Sequence, residues 1–304
     1  MCCLFGIIDY KKYLSKKQIN KIISTLSVAC EARGTDATGI AYNHQDKLCI
    51  YKRPLPAHSM HFYIPKDVHT VMGHTRMTTQ GNEKKNYNNH PFIGCVKGSK
   101  FALAHNGVLY NDAELQQKEK LPKSEIETDS YVEVQLIEKY GELSINSLRY
   151  AAELLEGSYT LTVMDKGNNM YFVKGDNPMC IYHFKESGFY IYASTEEILK
   201  SAMCRLPYKF GIYTKIDINS GTILKIDCHG NKSTAEFKFT YPMNYYTHYS
   251  MWDDFTYRKK PIVNEYIREL KLIASRFGVS SEDIDILLAE GFTTDDIEEY
   301  LYCG

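Results

Sequence analysis

An α+β fold, with two interleaved sets of short strands, a few long helices and a helical tail, is what the apolar patterns along this 304-residue chain predict. Three observations carry that expectation. Between Tyr159 and Ile226 short apolar segments alternate with turn residues. Helical periodicity is confined to a few stretches between the strands. From Pro261 onward, capped helical patterns replace the strand patterns.

Taken in order, Leu4-Phe5-Gly6-Ile7-Ile8 reads as a buried strand that starts just after Cys2. Ile19, Ile22, Ile23, Leu26, Val28 and Ala29 fall at helical spacing over residues 16–32, with Ser15 as the cap. The polar, glycine-punctuated loop Glu31 to Gly39 follows, then a hairpin of Gly39–Tyr42 with Lys47–Lys52. Val68–Met72 is a strand that ends in Gly73-His74-Thr75-Arg76. The stretch Thr78 to His90 is too polar for core, and long polar loops in compact domains are commonly functional or disordered. Phe101–His105 is a strand that the Asn106-Gly107 turn signal would stop, with Asn111 as the cap of a helix near Asp112. Periodic helices follow over Tyr131–Tyr140 and about Ile145–Leu155, the latter ended by Gly157 as a C-cap. Strands are expected at Tyr159–Met164, Tyr171–Lys174, Met179–His183 and Phe189–Ala193, a short helix from Ser194, and strands again over 211–226. The pattern lapses from Ser233 to Lys260. Ser280 and Thr293 then read as caps with an acid three residues on, within a compact three-helix unit. The expected domains are thus residues 1–230, a connector over 231–260, and a small helical module over 261–304, read as a protein-interaction module.

The 36 basic and 37 acidic residues are well mixed, which leaves no electrostatic footprint for nucleic acid. No apolar run reaches the roughly 18 residues a membrane helix needs. The apolar run at Cys2–Ile8 lacks a basic leader, so it does not read as a signal peptide. Nine cysteines, an odd number at irregular spacing, point to reduced thiols and a cytoplasmic protein. His58 and His61 share a helical-turn spacing but have no cysteine or carboxylate ligands near them in sequence.

Cys2 is the residue of greatest chemical interest. Once Met1 is removed it carries a thiol and an α-amine, and an α-amine titrates near about 7.7–8.0. One residue then supplies both nucleophile and base. Around it lie Cys2-Cys3-Leu4-Phe5-Gly6-Ile7, Arg33-Gly34-Thr35-Asp36-Ala37-Thr38-Gly39, Gly73-His74-Thr75-Arg76, Ala104-His105-Asn106-Gly107 and Thr128-Asp129-Ser130. His90-Pro91-Phe92, Leu155-Glu156-Gly157-Ser158-Tyr159 and Ala193-Ser194-Thr195-Glu196 complete the set. In this order and spacing, over about residues 2–230, they resemble the class II glutamine amidotransferase domain. That domain has an N-terminal cysteine nucleophile. It occurs in glucosamine-6-phosphate synthase, glutamine phosphoribosylpyrophosphate amidotransferase and asparagine synthetase.

The resemblance implies a four-layer αββα sandwich of the Ntn-hydrolase type. It implies that Cys2 attacks the glutamine side-chain amide, and that Asn106 and Gly107 form the oxyanion hole. Arg76 would pair with the α-carboxylate, a task guanidinium geometry suits, and Asp129 with the α-ammonium. Arg33 matches a residue that shapes the site, and Thr79 falls at a substrate contact. A Cys2 thioester would be hydrolysed to glutamate with release of ammonia, without metal or organic cofactor. Position 3 is cysteine where many relatives have glycine, and position 77 is methionine where relatives often carry an aromatic that helps close the site. No synthase region is legible after residue 230, so the ammonia acceptor is expected on a separate protein.

Plainer readings stand beside these. The arginines could serve surface ion pairs, Asn106-Gly107 a hairpin turn, and Asp129 a helix N-terminus. Two other functions also remain open: hydrolysis of a different γ-glutamyl amide read by the loop over 78–89, and a non-catalytic binding protein built on the same fold.

Overall fold

The computed structural model describes residues 2–240 and, past them, 267, 270–271, 274, 279–290, 292, 294 and 297. The chain divides into two compact units, residues 1–242 and 243–304. In the first unit the strands begin with β1 (Cys3–Ile8), β2 (Ala37–His44), β3 (Lys47–Arg53) and β4 (Thr70–Arg76). They continue with β5 (Phe92–Val96), β6 (Ser99–Leu109), β7 (Gly157–Met164) and β8 (Met170–Lys174). The last are β9 (Cys180–Phe184), β10 (Phe189–Ala193), β11 (Thr214–Ile216), β12 (Thr222–Ile226) and β13 (Lys232–Glu236). The helices are α1 (Lys16–Ala29), α2 (Asp112–Lys118), α3 (Tyr131–Tyr140), α4 (Ile145–Leu154) and α5 (Glu196–Arg205).

Two antiparallel sheets result, one ordered β11-β9-β10-β1-β4-β2-β3 and the other β13-β12-β8-β7-β6-β5. Three apolar layers alternate with them. Leu4, Ile8, Met72, Ala102, Ala104, Phe172 and Tyr192 pack between the sheets. Ile19, Ile22, Ile23 and Leu26 of α1, with Ile198, Leu199 and Ala202 of α5, cover the outer face of the first sheet. Val132, Leu136, Ile137, Leu148 and Ala151 of α3 and α4 cover that of the second. This is the expected α+β, four-layer αββα sandwich. Strands such as β1 are buried along their whole length because both faces are covered, and they therefore read as continuous apolar runs.

Local chemistry explains the elements that matched. Ser15 and Gln18 form a reciprocal capping box at α1, and Thr195 caps α5 through the Ile198 N–H. Five local expectations differ. The strand with Arg76 runs from Thr70 through Arg76 itself. Asn106 and Gly107 lie inside β6, paired with Thr160 and Tyr159, so the turn signal is overridden by a long ladder with β7. Gly157 opens β7 opposite Leu109 and does not cap α4. Asn111 precedes α2 but bonds the Leu154 carbonyl and the Glu156 N–H, so it tethers α4's end and not α2's start. The expected lapse after Ser233 is partly filled by β13, an exposed edge strand whose polar residues carry no apolar alternation.

In the second unit the described helix, α6 (Ser281–Ala289), starts at Ser280 with Asp283 completing a capping box. Leu270, Ala274, Ile284 and Ile297 pack together. The expected caps at Thr293 and the helix opening at Pro261 lie outside the described residues. No helix among the described residues is long and apolar enough to cross a membrane.

Candidate active site

The register of the first sheet assembles one half of the site. Cys3 pairs with Thr75, which brings Cys2 and Arg76 to the same end of adjacent central strands. The β1 entry is fixed from two sides. The Ser194 hydroxyl accepts the Leu4 N–H at 2.9 Å, and Arg33 Nε donates to the Cys2 carbonyl at 3.0 Å. The Cys2 Sγ lies 3.5 Å from the Met77 carbonyl. Burial pushes the Cys2 thiol up; the Met77 hydrogen bond and the Arg76 charge oppose that, and the Asp129 carboxylate adds to it. At neutral pH this cysteine is therefore a thiol that needs a base, and both Arg76 and Asp129 are close enough to bias its titration.

The glycine-rich loop before β2 braces Arg76. The Asp36 N–H donates to the Arg76 carbonyl at 2.9 Å, and the Asp36 carboxylate accepts the Thr78 N–H at 2.7 Å. A Cβ on Gly34 would lie 2.5 Å from the Arg76 carbonyl carbon, so that backbone approach requires glycine. Arg76 itself is buried, with Nη1 donating to Asn89 Oδ1 at 2.7 Å and Nη2 to the Gln80 carbonyl at 2.6 Å. Neither contact is to a carboxylate.

The second sheet supplies the other half. Asn106 is fully buried, yet neither its side-chain oxygen nor its nitrogen has a hydrogen-bond partner. A buried polar group left in that state costs about 1–3 kcal/mol. Its backbone is fixed from behind, where Asn177 Nδ2 donates to the Asn106 carbonyl at 3.2 Å. Gly107 has φ +147°, and a Cβ there would lie 1.8 Å from the Ser158 carbonyl oxygen. Asp129 is buried just before α3 and accepts the Leu109 N–H at 2.7 Å. His74 Nε2 donates to the His105 carbonyl at 2.9 Å, which ties β4 to β6 immediately beside Asn106.

Beside Asn106 lies a buried polar cluster. The His90 ring packs tilted against that of His74, with centroids 4.3 Å apart, and burial holds His74 down to about 3 and His90 well below its ordinary range. His105 Nδ1 is 2.7 Å from the Ser130 hydroxyl and 3.6 Å from Glu133 Oε1. Burial, with Asp129 adding to it, pushes the Glu133 carboxyl far up, so it is held protonated. A carboxyl whose folded-state pKa is raised contributes fully below its unfolded value of about 4.3 and loses that contribution as pH rises toward the folded value. Glu133→Gln should accordingly raise the melting temperature at pH 7 and leave it nearly unchanged at pH 4. Thermal melts at the two pH values test this, and an equal shift at both would contradict it.

The sequence-predicted site residues therefore divide. Cys2, Arg33, Arg76 and Asp129 come together, with Asn106 and Gly107 on the facing sheet. Arg33 and Arg76 are 2% and 3% exposed, which excludes the surface ion-pair reading. Thr79 is exposed on the loop after Arg76. His58 sits against Glu31 at 3.0 Å, and among the described residues no cluster suited to a metal occurs. Asn89, Lys52 and Asn177 were not legible beforehand. Asn89 lies in a stretch whose polarity suggested solvent, although it and Asn88 are fully buried.

A family model described as a glutamine amidotransferase domain matches residues 59–209. The glutamine–fructose-6-phosphate aminotransferase (isomerizing) of Sulfolobus acidocaldarius is 32% identical over 192 residues, covering 60% of this chain and 31% of that enzyme. That of Listeria monocytogenes is 34% identical over 159 residues, covering 50% and 26%. Over residues 59–209 this chain carries a glutamine amidotransferase domain.

The fold of this amidotransferase domain is shared with the glutamine phosphoribosylpyrophosphate amidotransferase of B. subtilis in complex with ADP and GMP. The TM-score is 0.63 at 21% identity, over 79% of this chain and 50% of that one. The stretch matched by the family model contains Arg76, Thr79, Asn106, Gly107 and Asp129, whereas Cys2 and Arg33 precede it. The chain spans about a third of the length of the aminotransferases it matches.

Proposed function

We propose that this domain hydrolyses the side-chain amide of glutamine through a thioester on Cys2, giving glutamate and ammonia. The observation that carries the reading is the unpartnered, buried Asn106 amide on the sheet that faces the Cys2 thiol. A donor with nothing to bind in the resting protein has a partner when an oxyanion forms. In the proposed sequence Cys2 Sγ attacks the amide carbon, and its proton passes to the Cys2 α-amine. The tetrahedral oxyanion is met by Asn106 Nδ2 and the Gly107 N–H. The amine then returns the proton to the departing nitrogen, so ammonia leaves and the thioester remains for water to cleave.

Arg76 and Asp129, buried with opposite charges near the thiol, suit the α-carboxylate and α-ammonium of the substrate. They would grip any γ-glutamyl amide in the same way, so the group beyond the amide nitrogen is chosen elsewhere, with the loop over 78–89, which follows Arg76 and is exposed at Thr79 and Gln80, the segment assigned to read it. Ammonia acceptance is assigned to a separate protein, with the helical unit as its docking module, and the domain is assigned to the cytoplasm without metal or organic cofactor. The test is intact mass with a thiol-alkylating glutamine analogue, together with glutamate and ammonia release. Loss of Met1, a single adduct on Cys2 blocked by glutamine, and equimolar products are expected. Retained Met1, or labelling that glutamine does not block, would overturn the reading.

A further inference from the structure

Lys52 lies on the edge strand β3, yet its ammonium is turned inward, where it donates to the carbonyls of Asn89 and Pro91, the latter at 3.1 Å. It also faces the Phe92 ring, 5.2 Å from the centroid. Among the described residues no carboxylate pairs with it. Holding a desolvated ammonium on backbone carbonyls alone is unfavourable unless it does something else for the protein.

The contacts lead to the site in two steps. Asn86 Nδ2 donates to the Lys52 carbonyl at 2.9 Å, so residue 52 grips the 86–91 segment at both ends. Asn89, whose carbonyl Lys52 binds, is also the residue whose Oδ1 accepts from Arg76 Nη1. The Asn89 amide nitrogen is spent on the Glu83 carbonyl at 2.8 Å, which fixes which way the side chain faces. Among the described residues Arg76 reaches no carboxylate of its own, so its orientation depends on Asn89 and on the Gln80 carbonyl.

We propose that Lys52 is a positioning residue for substrate binding: it clamps the 86–91 segment so that Asn89 presents Arg76 to the substrate carboxylate. This rests on the reading of Arg76 given above. The surroundings make the clamp sensitive to pH. Burial, with Arg76 adding to it, pulls the Lys52 ammonium down to about 8. Among the described residues the titratable groups that face it are Arg76, His74 and His90, and none of these is acidic. As pH rises through about 8 the ammonium becomes an amine, and its charge-assisted bonds to the two carbonyls weaken.

The experiment compares the parent, Lys52→Met, Lys52→Arg and Arg76→Lys proteins. It reads the KM for glutamine and the Kd for L-glutamate between pH 7 and 9.5, with thermal melts alongside. At pH 7 Lys52→Met should raise KM and Kd about tenfold with kcat within about twofold, because both charge-assisted bonds that hold the segment are lost. The parent's Kd should climb above pH 8 by at least about threefold more than that of Lys52→Arg, whose guanidinium keeps its charge. The ligand's own amine titrates in both proteins and cancels in the ratio. Unchanged KM and Kd in Lys52→Met, or superimposable parent and Lys52→Arg profiles, would overturn the proposal. Should Lys52→Met fail to fold, the Lys52→Arg profile alone decides. Glutamate binding that survives Arg76→Lys would remove the reading of Arg76 and this inference with it. Loss there with unchanged Lys52→Met binding removes the Lys52 role alone.

Discussion

Cys2→Ala is expected to lower glutamine turnover by about 10⁴-fold or more, with the Kd for glutamate within about threefold of the parent. The separation follows from the site. Arg76 and Asp129, assigned here to the α-carboxylate and α-ammonium, do not depend on the sulfur, whereas every covalent step does. Burial keeps the Cys2 thiol protonated at neutral pH, so the rate also depends on the base beside it. With the α-amine in that role, kcat should rise with pH through about 7.7–8.0 and then level. A protein with one extra residue ahead of Cys2 should lose turnover nearly as completely, although its thiol is intact. Full activity in that extended protein would sink the assignment of the amine as base.

The second large effect is at Asn106. Replacement by leucine, which keeps the number and branching of the side-chain heavy atoms but has no polar atoms, should cut kcat by about 10²–10³ with little change in KM, the usual consequence of deleting one oxyanion donor. The same change should hold or raise the melting temperature, because it removes a buried amide that has no partner. A structural asparagine would behave in the opposite way, with lost stability and largely preserved turnover. Chemical or thermal denaturation beside steady-state kinetics separates the two cases. A clear drop in stability at unchanged kcat would refute the oxyanion role.

How far the sequence spoke for itself varied with what each residue answers to. β1 and α3 were readable because an apolar run or a helical period, with local caps and turns, agrees with the tertiary fold. β5 was missed, although Phe92, Gly94 and Val96 alternate inward against exposed Ile93 and Cys95; five residues beside a long polar stretch gave too short a signal. Asn106-Gly107 misled in the other direction. Its turn preference is local, but the pairing of β6 with β7 spans residues 102–109 and prevails. At the site, Arg76, Asn106 and Asp129 were singled out by the resemblance, whose chemistry calls for an arginine, an amide and a carboxylate in the roles proposed for them. Lys52 and Asn89 act on backbone carbonyls and on another side chain, and no residue pattern announces that function.

The position of β1 has a consequence for the order of events during synthesis. β1 is a central strand, flanked by β4 on one side and by β10 on the other. Its second neighbour is made only when the chain has reached residues 189–193, and the bond from the Leu4 N–H to Ser194 closes after that. At about 5–20 residues per second, translation takes on the order of 10–40 s to reach that point. Throughout that interval the strand lacks its β10 partner, and Cys2 has not yet acquired the burial seen in the finished fold. Removal of Met1, which the proposed base requires, is predicted to fall within that window. A ribosome-bound chain halted before β10 should be a good substrate for the trimming peptidase, and the completed fold a poor one.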